Sequence, residues 1–241
     1  MRTLLDLPRL GPQACAPFPP PGDALSVPNG LLAWGGDLRS ERLLNAYRRG
    51  IFPWYQEGQP ILWWSPAPRC VILPQDVHVS RRTRRRFNSG SHRISADLAF
   101  EEVIRACAAP RDHDAGTWIT TDMMEAYVNL HHQGHAHSVE VWEGPELVGG
   151  IYGLAIGTAF FGESMVSRRV DASKIALIAL CKQLVDWSFG LLDCQVSNPH
   201  LVRMGAVEIS RQEFTDRLSE LVINPGFPGS WTELFQSVES W

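Results

Sequence analysis

Apolar residues recur along this chain with two spacings, and each predicts its own kind of element. Positions 3, 4 and 7 apart mark amphipathic helices. Leu43, Leu44 and Tyr47 share one face, with Ser40 as the cap and Gly50 as the stop; Phe100, Val103, Ile104 and Cys107 share another, capped by Asp97 and ended by Pro110; Met123, Tyr127 and Leu130 repeat the spacing before Gly134. A long helix starts near Asp171, with Leu177, Leu180, Cys181 and Leu184 on its buried face, and Ser210 with Glu213 forms a capping box ahead of Phe214, Leu218 and Leu221. Residues 51–66 predict two short aromatic strands joined by a Gly/Pro turn; residues 138–142, 147–157 and 158–164 predict an antiparallel meander, and residues 191–196 a further strand. Helices, then a meander, then helix and strand predict an α+β layer fold. Eleven of the seventeen prolines and four of the nine tryptophans precede residue 69. This divides the chain into a small N-terminal α/β domain, residues 1–68, and a larger domain, residues 69–241.

At 241 residues and 44% hydrophobic, the chain is large enough to bury a sizeable core. No run reaches the roughly 18 apolar residues of a spanning helix, and the proline-rich start lacks a signal-peptide pattern, so the reading is a cytoplasmic protein with no membrane partner. Five scattered cysteines without a CxxC pair argue against a disulfide framework or a structural zinc site. The net charge of −4 conceals a basic island: residues 81–93 hold six arginines and no acid, leaving 16 basic against 26 acidic side chains elsewhere. Arg presents a planar fork of donors that suits phosphate, so Arg81, Arg82, Arg84, Arg85 and Arg86 are candidates for a nucleic-acid backbone.

Candidate chemistry sits on the strands. In LLDCQV a two-residue period puts Asp193 and Gln195 on one face and Cys194 on the other, so a carboxylate and an amide could hold one substrate amine, although the strand by itself is as simply a solvated polar face. Glu163, directly after two Phe and a Gly, is either a partly buried functional carboxylate or a strand end facing water. His131, His132, His135 and His137 suggest a metal, but Gly134 interrupts the helical spacing that a two-histidine site needs. Cys194 and His200 suggest thiol acyl transfer, against which Cys194 reads as a buried, inert thiol. A meander followed by a long helix is the GNAT pattern, yet the junction ESMVSRRVDASK has no glycine to cradle a coenzyme A pyrophosphate.

The strings PNGLLAWGGDL, RLLNAYRRGIFPWY, PILWWSPAPR, GTWIT, GHAHSVEVW, ELVGGIYG, FGESM and LLDCQ follow one another between residues 28 and 195. In them the chain resembles the leucyl/phenylalanyl-tRNA–protein transferase family. The resemblance implies a small N-terminal domain joined to a GNAT-like C-terminal domain that does without acetyl-CoA. It also implies transfer of Leu or Phe, and less readily Met, from aminoacyl-tRNA to the α-amine of proteins beginning with Arg or Lys, which marks them for degradation. No metal or other cofactor is expected, and the protein is expected to be a monomer.

The resemblance further implies residue roles. Asp193 and Gln195 are the catalytic pair, Gln195 orienting the amine and Asp193 polarising it or taking its proton, while Glu163 meets the cationic acceptor N-terminus. Tyr47, Trp54 and Trp118 receive the tRNA 3′ end, Trp63 and Trp64 remain core, and the arginine island grips the acceptor stem. Ile151, Phe160, Leu180 and Leu192 line the amino-acid pocket, with Leu180 standing where an aromatic can occur and Val166 where Phe is common. The competing classes are another kind of acyltransferase and a non-catalytic RNA-binding module.

Overall fold

The computed structural model describes residues 7–13, 17–110 and 118–235; Cys15 and the first two residues of the GTWIT string lie outside them. Two sheets organise the chain. The smaller runs β1 (Arg9–Leu10), β2 (Leu31–Gly35), β4 (Leu62–Trp64), β3 (Phe52–Pro53), with α1 (Ser40–Tyr47) between β2 and β3 in sequence. The predicted aromatic hairpin is the β3–β4 pair, Phe52 opposite Trp64 and Pro53 opposite Trp63. Ser40 does not cap α1: it is the first helical residue, Arg39 precedes it without a side-chain cap, and the Ser40 hydroxyl accepts instead from Asn129. At the other end Gly50, at φ +73°, stops the helix, and the Ile51 N–H closes back on the Ala46 carbonyl at 2.9 Å.

The larger sheet has seven strands in the order β11 (Val207–Ile209), β5 (Arg69–Ile72), β10 (Leu191–Gln195), β9 (Ala159–Ser167), β8 (Glu146–Ile156), β7 (Ala136–Glu143), β6 (Arg93–Ala96). The meander β7–β8–β9 is antiparallel, and α5 (Ala172–Asp186) returns the chain so that β10 pairs in parallel with β9. A strand with neighbours on both edges and both faces covered reads as an apolar run. Leu191, Leu192, Asp193 and Cys194 are all buried.

Side chains alternate between two apolar clusters, one on each face of this sheet. Tyr152, Phe161 and Leu191 join the cluster formed by α3 (Phe100–Ala108), α4 (Thr121–His132) and the small sheet; Ile151, Phe160 and Leu192 join the cluster around α5. The small sheet therefore shares its core with the larger one. The apolar faces predicted for α3, α4 and α5 are the buried ones, but Asp97 does not cap α3, whose N-cap is Ala99. Asp97, at φ +58°, instead accepts from the Ser138 and Trp231 N–H groups and from His137 Nδ1.

The arginine island forms α2 (Arg81–Phe87), capped by Ser80, whose hydroxyl accepts from the Thr83 N–H at 3.1 Å. After β10 come α6 (Pro199–Arg203), β11 and α7 (Arg211–Leu221), the last capped by Ser210, which accepts from the Glu213 N–H. Among the described residues no helix is long and apolar enough to cross a membrane.

Candidate active site

The parallel pairing of β9 with β10 ends at Phe161 and Asp193. Past that point the strands part, and each carries a register shift. On β9, Gly162 pairs with Gly153 and Ser164 with Tyr152, so Glu163 is the extra residue. On β10, Asp193 pairs with Val71 and Gln195 with Cys70, so Cys194 is the extra residue. A bulge bends its strand and re-aims side chains. Gly153 permits the first of these, since a Cβ there would lie 2.1 Å from the Phe161 carbonyl oxygen and 2.6 Å from the Phe160 ring.

A cleft of about 830 Å³ opens in the gap, continuous with a smaller lobe of about 160 Å³. Trp118, Glu163, Cys194, Gln195 and Val196 line both lobes; Ile151, Met165, Leu177 and Leu192 line the larger, and Phe52 and Trp54 the smaller.

The bulge breaks the two-residue period on β10. Cys194 and Gln195 both reach the cleft, whereas Asp193 lines neither lobe, so the two residues expected on one face are divided. Asp193 is fully buried in a two-point ion pair: Arg69 Nε donates to Oδ1 at 2.8 Å and Nη2 to Oδ2 at 2.6 Å. The Gln195 N–H also donates to Oδ1, at 3.0 Å, and holds Gln195 at φ +57°. The Arg69 guanidinium lies between the rings of Phe52 and Phe214, 4.9 and 4.5 Å from their centroids. Sequence reasoning missed Arg69 beyond its place in PILWWSPAPR; an arginine opening the apolar run RCVI was the available signal. The Gln195 side-chain Nε2 is buried with no partner among the described protein atoms, on a residue that lines both lobes.

Glu163 stands in different surroundings. The Tyr47 hydroxyl donates to Oε1 at 2.7 Å and the Tyr127 hydroxyl lies 3.1 Å from Oε2, and the two phenols are themselves hydrogen-bonded. Burial raises the Glu163 carboxyl from 4.5 to about 7; the two phenols and Arg69 pull it down and the Asp193 charge pushes it up.

The expected aromatic wall divides in the same way. Trp54 and Trp118 line the cleft, Trp54 tilted against Trp64 at 5.7 Å, while Tyr47 is buried and reaches the site through Glu163. Trp63 is fully buried, its Nε1 donating to the Gly35 carbonyl. Of the expected pocket residues, Ile151 and Leu192 line the cleft, but Phe160 and Leu180 lie in the core behind it. Leu177, one helical turn before Leu180, is buried but takes the cleft-lining place on α5, and Met165 the place on β9; the helical period pointed to Leu177 but did not separate the turn at the cleft from the turn in the core.

Cys194 faces the cleft, contrary to the strand period, yet its hydrogen bond with Cys70 and its burial hold the thiol well above the usual range, which suits an inert group. On α2, Thr83 and Phe87 are buried and Arg81, Arg82, Arg84 and Arg85 are exposed. Arg82, Arg85 and Arg86 line a separate hollow of about 390 Å³ with Ser89, Ser91 and His92, and Arg82 and Arg86 stand 3.8 and 3.9 Å from Asp171.

Comparison with known proteins is consistent along the chain. Residues 71–219 match the family model for leucyl/phenylalanyl-tRNA protein transferase, and residues 36–67 match the model for the N-terminal domain of the same family. A leucyl/phenylalanyl-tRNA–protein transferase of Stutzerimonas stutzeri is 58% identical over 84% of this chain and 89% of its own length. One from Alkalilimnicola ehrlichii is 58% identical over 90% and 84%, and one from Nitrosomonas europaea 55% identical over 89% and 91%. Among solved structures, a GCN5-related N-acetyltransferase from Kribbella flavida overlaps 68% of this chain and 58% of its own at 12% identity, with a TM-score of 0.38. L-PGS from Bacillus licheniformis overlaps 80% and 73% at 10% identity, with a TM-score of 0.43. Both structural likenesses are too distant to bear on activity. The sequence matches span most of this chain and of each relative, and on them the chain belongs to the leucyl/phenylalanyl-tRNA–protein transferase family, aminoacyltransferases that carry an aminoacyl group from tRNA to a protein.

Proposed function

We propose that this chain transfers Leu or Phe, and less readily Met, from aminoacyl-tRNA to the N-terminal α-amine of proteins beginning with Arg or Lys, marking them for degradation. The carrying observation is the two-lobed cleft between the parted strands, apolar on one side, aromatic on the other, with Glu163 and the unpaired Gln195 amide between them. An aminoacyl ester is already activated, so the work left is to position the reactants, free the amine of a proton and stabilise the developing oxyanion.

In this reading Ile151, Met165, Leu177 and Leu192 hold the amino-acid side chain, and Trp54 and Trp118 stack on the terminal base of the tRNA. An apolar pocket separates side chains that differ by a methylene by only about 1–3 kcal/mol, which gives overlapping use of Leu, Phe and Met. Glu163 faces the cationic acceptor N-terminus. Gln195 Nε2 is the free donor for the ester carbonyl. Asp193 is a positioning residue, its oxygens taken up by Arg69 and by the Gln195 N–H. Arg81, Arg82, Arg84, Arg85 and Arg86 bind phosphates of the acceptor stem, contacts that carry no sequence information and suit more than one tRNA.

The test is transfer of radiolabelled Leu from Leu-tRNA to a peptide with N-terminal Arg, beside the same peptide with N-terminal Ala. Incorporation into the Arg peptide alone is expected. Equal incorporation into both would remove the acceptor rule, and tight tRNA binding without any transfer would turn the reading towards an RNA-binding module.

A further inference from the structure

We propose that Glu163, Tyr47 and Tyr127 close a three-membered hydrogen-bond ring that stores one exchangeable proton, and that Glu163 in its ionised form is the base that takes the proton of the attacking α-amine. The proposal rests on the aminoacyl-transfer reading above and assigns its proton step to a group other than the Asp193–Gln195 pair.

Three oxygen pairs are in hydrogen-bond contact: Tyr47 with Glu163 Oε1, Tyr127 with Glu163 Oε2, and Tyr47 with Tyr127. Each pair shares one proton, and the two phenols supply two. An ionised Glu163 leaves one pair without a proton. A protonated Glu163 supplies the third and closes the ring, donating to Tyr127, which donates to Tyr47, which donates to the other carboxyl oxygen. The ring is closed in the protonated state and open at one pair in the ionised state, the two being one proton apart, and the cluster borders the cleft through Glu163.

The groups that face Glu163 come from five elements. Tyr47 on α1 and Tyr127 on α4 hydrogen-bond to it, and burial raises both phenols well above 10, so they remain protonated donors. Tyr152 on β8 is likewise raised by burial, with the Glu163 charge adding to the shift. Asp193 on β10 disfavours the ionised carboxylate and Arg69 on β5 favours it. The outcome is a carboxyl balanced near neutrality, close to the pKa of about 7.7–8.0 of a peptide α-amine, the match at which proton transfer serves catalysis best. Asp193 does not meet the reacting amine, because its oxygens are taken up by Arg69 and it lines neither lobe.

The step balances without a co-reactant. As the amine nitrogen bonds to the ester carbonyl carbon, its proton passes to a Glu163 oxygen. The ester C–O bond to the ribose then breaks, and the same proton passes from Glu163 to the departing ribose oxygen. The products are an amide and a ribose hydroxyl, Glu163 is again ionised, and nothing is oxidised or reduced.

Two measurements test this on the full chain. The first titrates Glu163 in the free protein, by carboxyl-labelled glutamate NMR assigned against Glu163→Gln, in the wild type and in Tyr47→Phe. The second follows single-turnover transfer of Leu from Leu-tRNA to an Arg-initial peptide across pH, for the wild type and Glu163→Gln. Glu163 is expected to titrate near neutrality and to shift upward in Tyr47→Phe, which removes a donor to the carboxylate. The wild-type rate is expected to rise through the same pH, and Glu163→Gln to lose that inflection and at least about 100-fold in rate. A carboxylate ionised down to pH 5, or an unmoved titration in Tyr47→Phe, overturns the ring. A wild-type rate in Glu163→Gln overturns the base. A near-neutral titration with no transfer by the wild type overturns the aminoacyl-transfer reading and the base role while leaving the ring in place. Should Glu163→Gln fail to fold, the wild-type titration and its shift in Tyr47→Phe still decide.

Discussion

Asp193 and Glu163 are carboxylates on neighbouring strands, and their surroundings drive them to opposite uses. Asp193 spends both oxygens on a buried guanidinium and on the N–H that sets Gln195. Removing one member of such a pair strands the other charge in the interior, which costs about 3–5 kcal/mol, whereas replacing both by apolar groups of like volume is often close to neutral. Urea unfolding is therefore expected to show Asp193→Asn and Arg69→Met each strongly destabilised, and an Asp193→Leu/Arg69→Met double variant losing much less than the two single losses combined. Additive losses would mean that the pair is not coupled.

Glu163 gives the opposite sign. Its folded-state pKa, about 7, lies above the ordinary 4.5, so between those values the folded chain holds a proton that the unfolded chain has released. Stability from this group therefore falls as pH rises from 4.5 to 7, by up to about 3 kcal/mol, less to the extent that water in the cleft reaches it. Glu163→Gln lacks that fall, and its denaturation midpoint should gain on the wild type between pH 5 and pH 8.

At the scale of elements, the two-period pattern located the meander, α3, α4, α5 and β10, because an apolar stripe at helical spacing has one stable use, burial against a sheet. Caps were less legible. Ser40 and Asp97 have the side chains of caps, but each is recruited by a distant partner, Asn129 in one case and His137, Ser138 and Trp231 in the other. The helix α2 was not legible as a helix at all, since RRTRRRF carries only Thr83 and Phe87 as anchors, four residues apart. Thr83 and Phe87 anchor the helix and Arg86 ties it to the Val170 carbonyl, so the exposed Arg81, Arg84 and Arg85 are free to be changed. Replacing the exposed Arg81, Arg84 and Arg85 with Ala should leave the fold intact, weaken tRNA binding and flatten its salt dependence by roughly 0.9 in log–log slope for each phosphate that is no longer neutralised. Filter binding across a salt series reads this directly, and an unchanged slope would place the acceptor stem elsewhere.

Across the whole molecule, the C-terminal segment is tied to the sheet through Asp97. Burial pushes that carboxyl up, but the hydrogen bonds from His137, Trp231 and Ser138 outweigh it and hold it below its usual range. Trp231 stacks on His137 with ring centroids 3.8 Å apart and is fully buried. Because the Asp97 pKa is depressed, this tie supplies stability above the ordinary carboxyl range and loses it as the solution is acidified. Asp97→Ala is expected to cost about 3 kcal/mol at neutral pH and to speed hydrogen exchange in residues 226–235. Unchanged exchange there would show that the segment is held by its aromatic contacts alone.

The sequence by itself determined the family, the main helices, the meander and β10 in their order, and it named Glu163, Asp193 and Gln195 as candidates, because apolar spacing and long ordered strings are local properties of the chain. It did not determine which of those residues meets the cleft. That depends on where β9 and β10 stop pairing and on two extra residues, Glu163 and Cys194, inserted against partner strands. A strand read alone has a period of two, and only its register against its neighbours reveals where that period is broken. The same holds for charge: Arg69 lies 124 positions from Asp193, and Tyr47 lies 116 from Glu163, so the environments that set one carboxylate as an anchor and the other as a proton acceptor arise only when the sheets close.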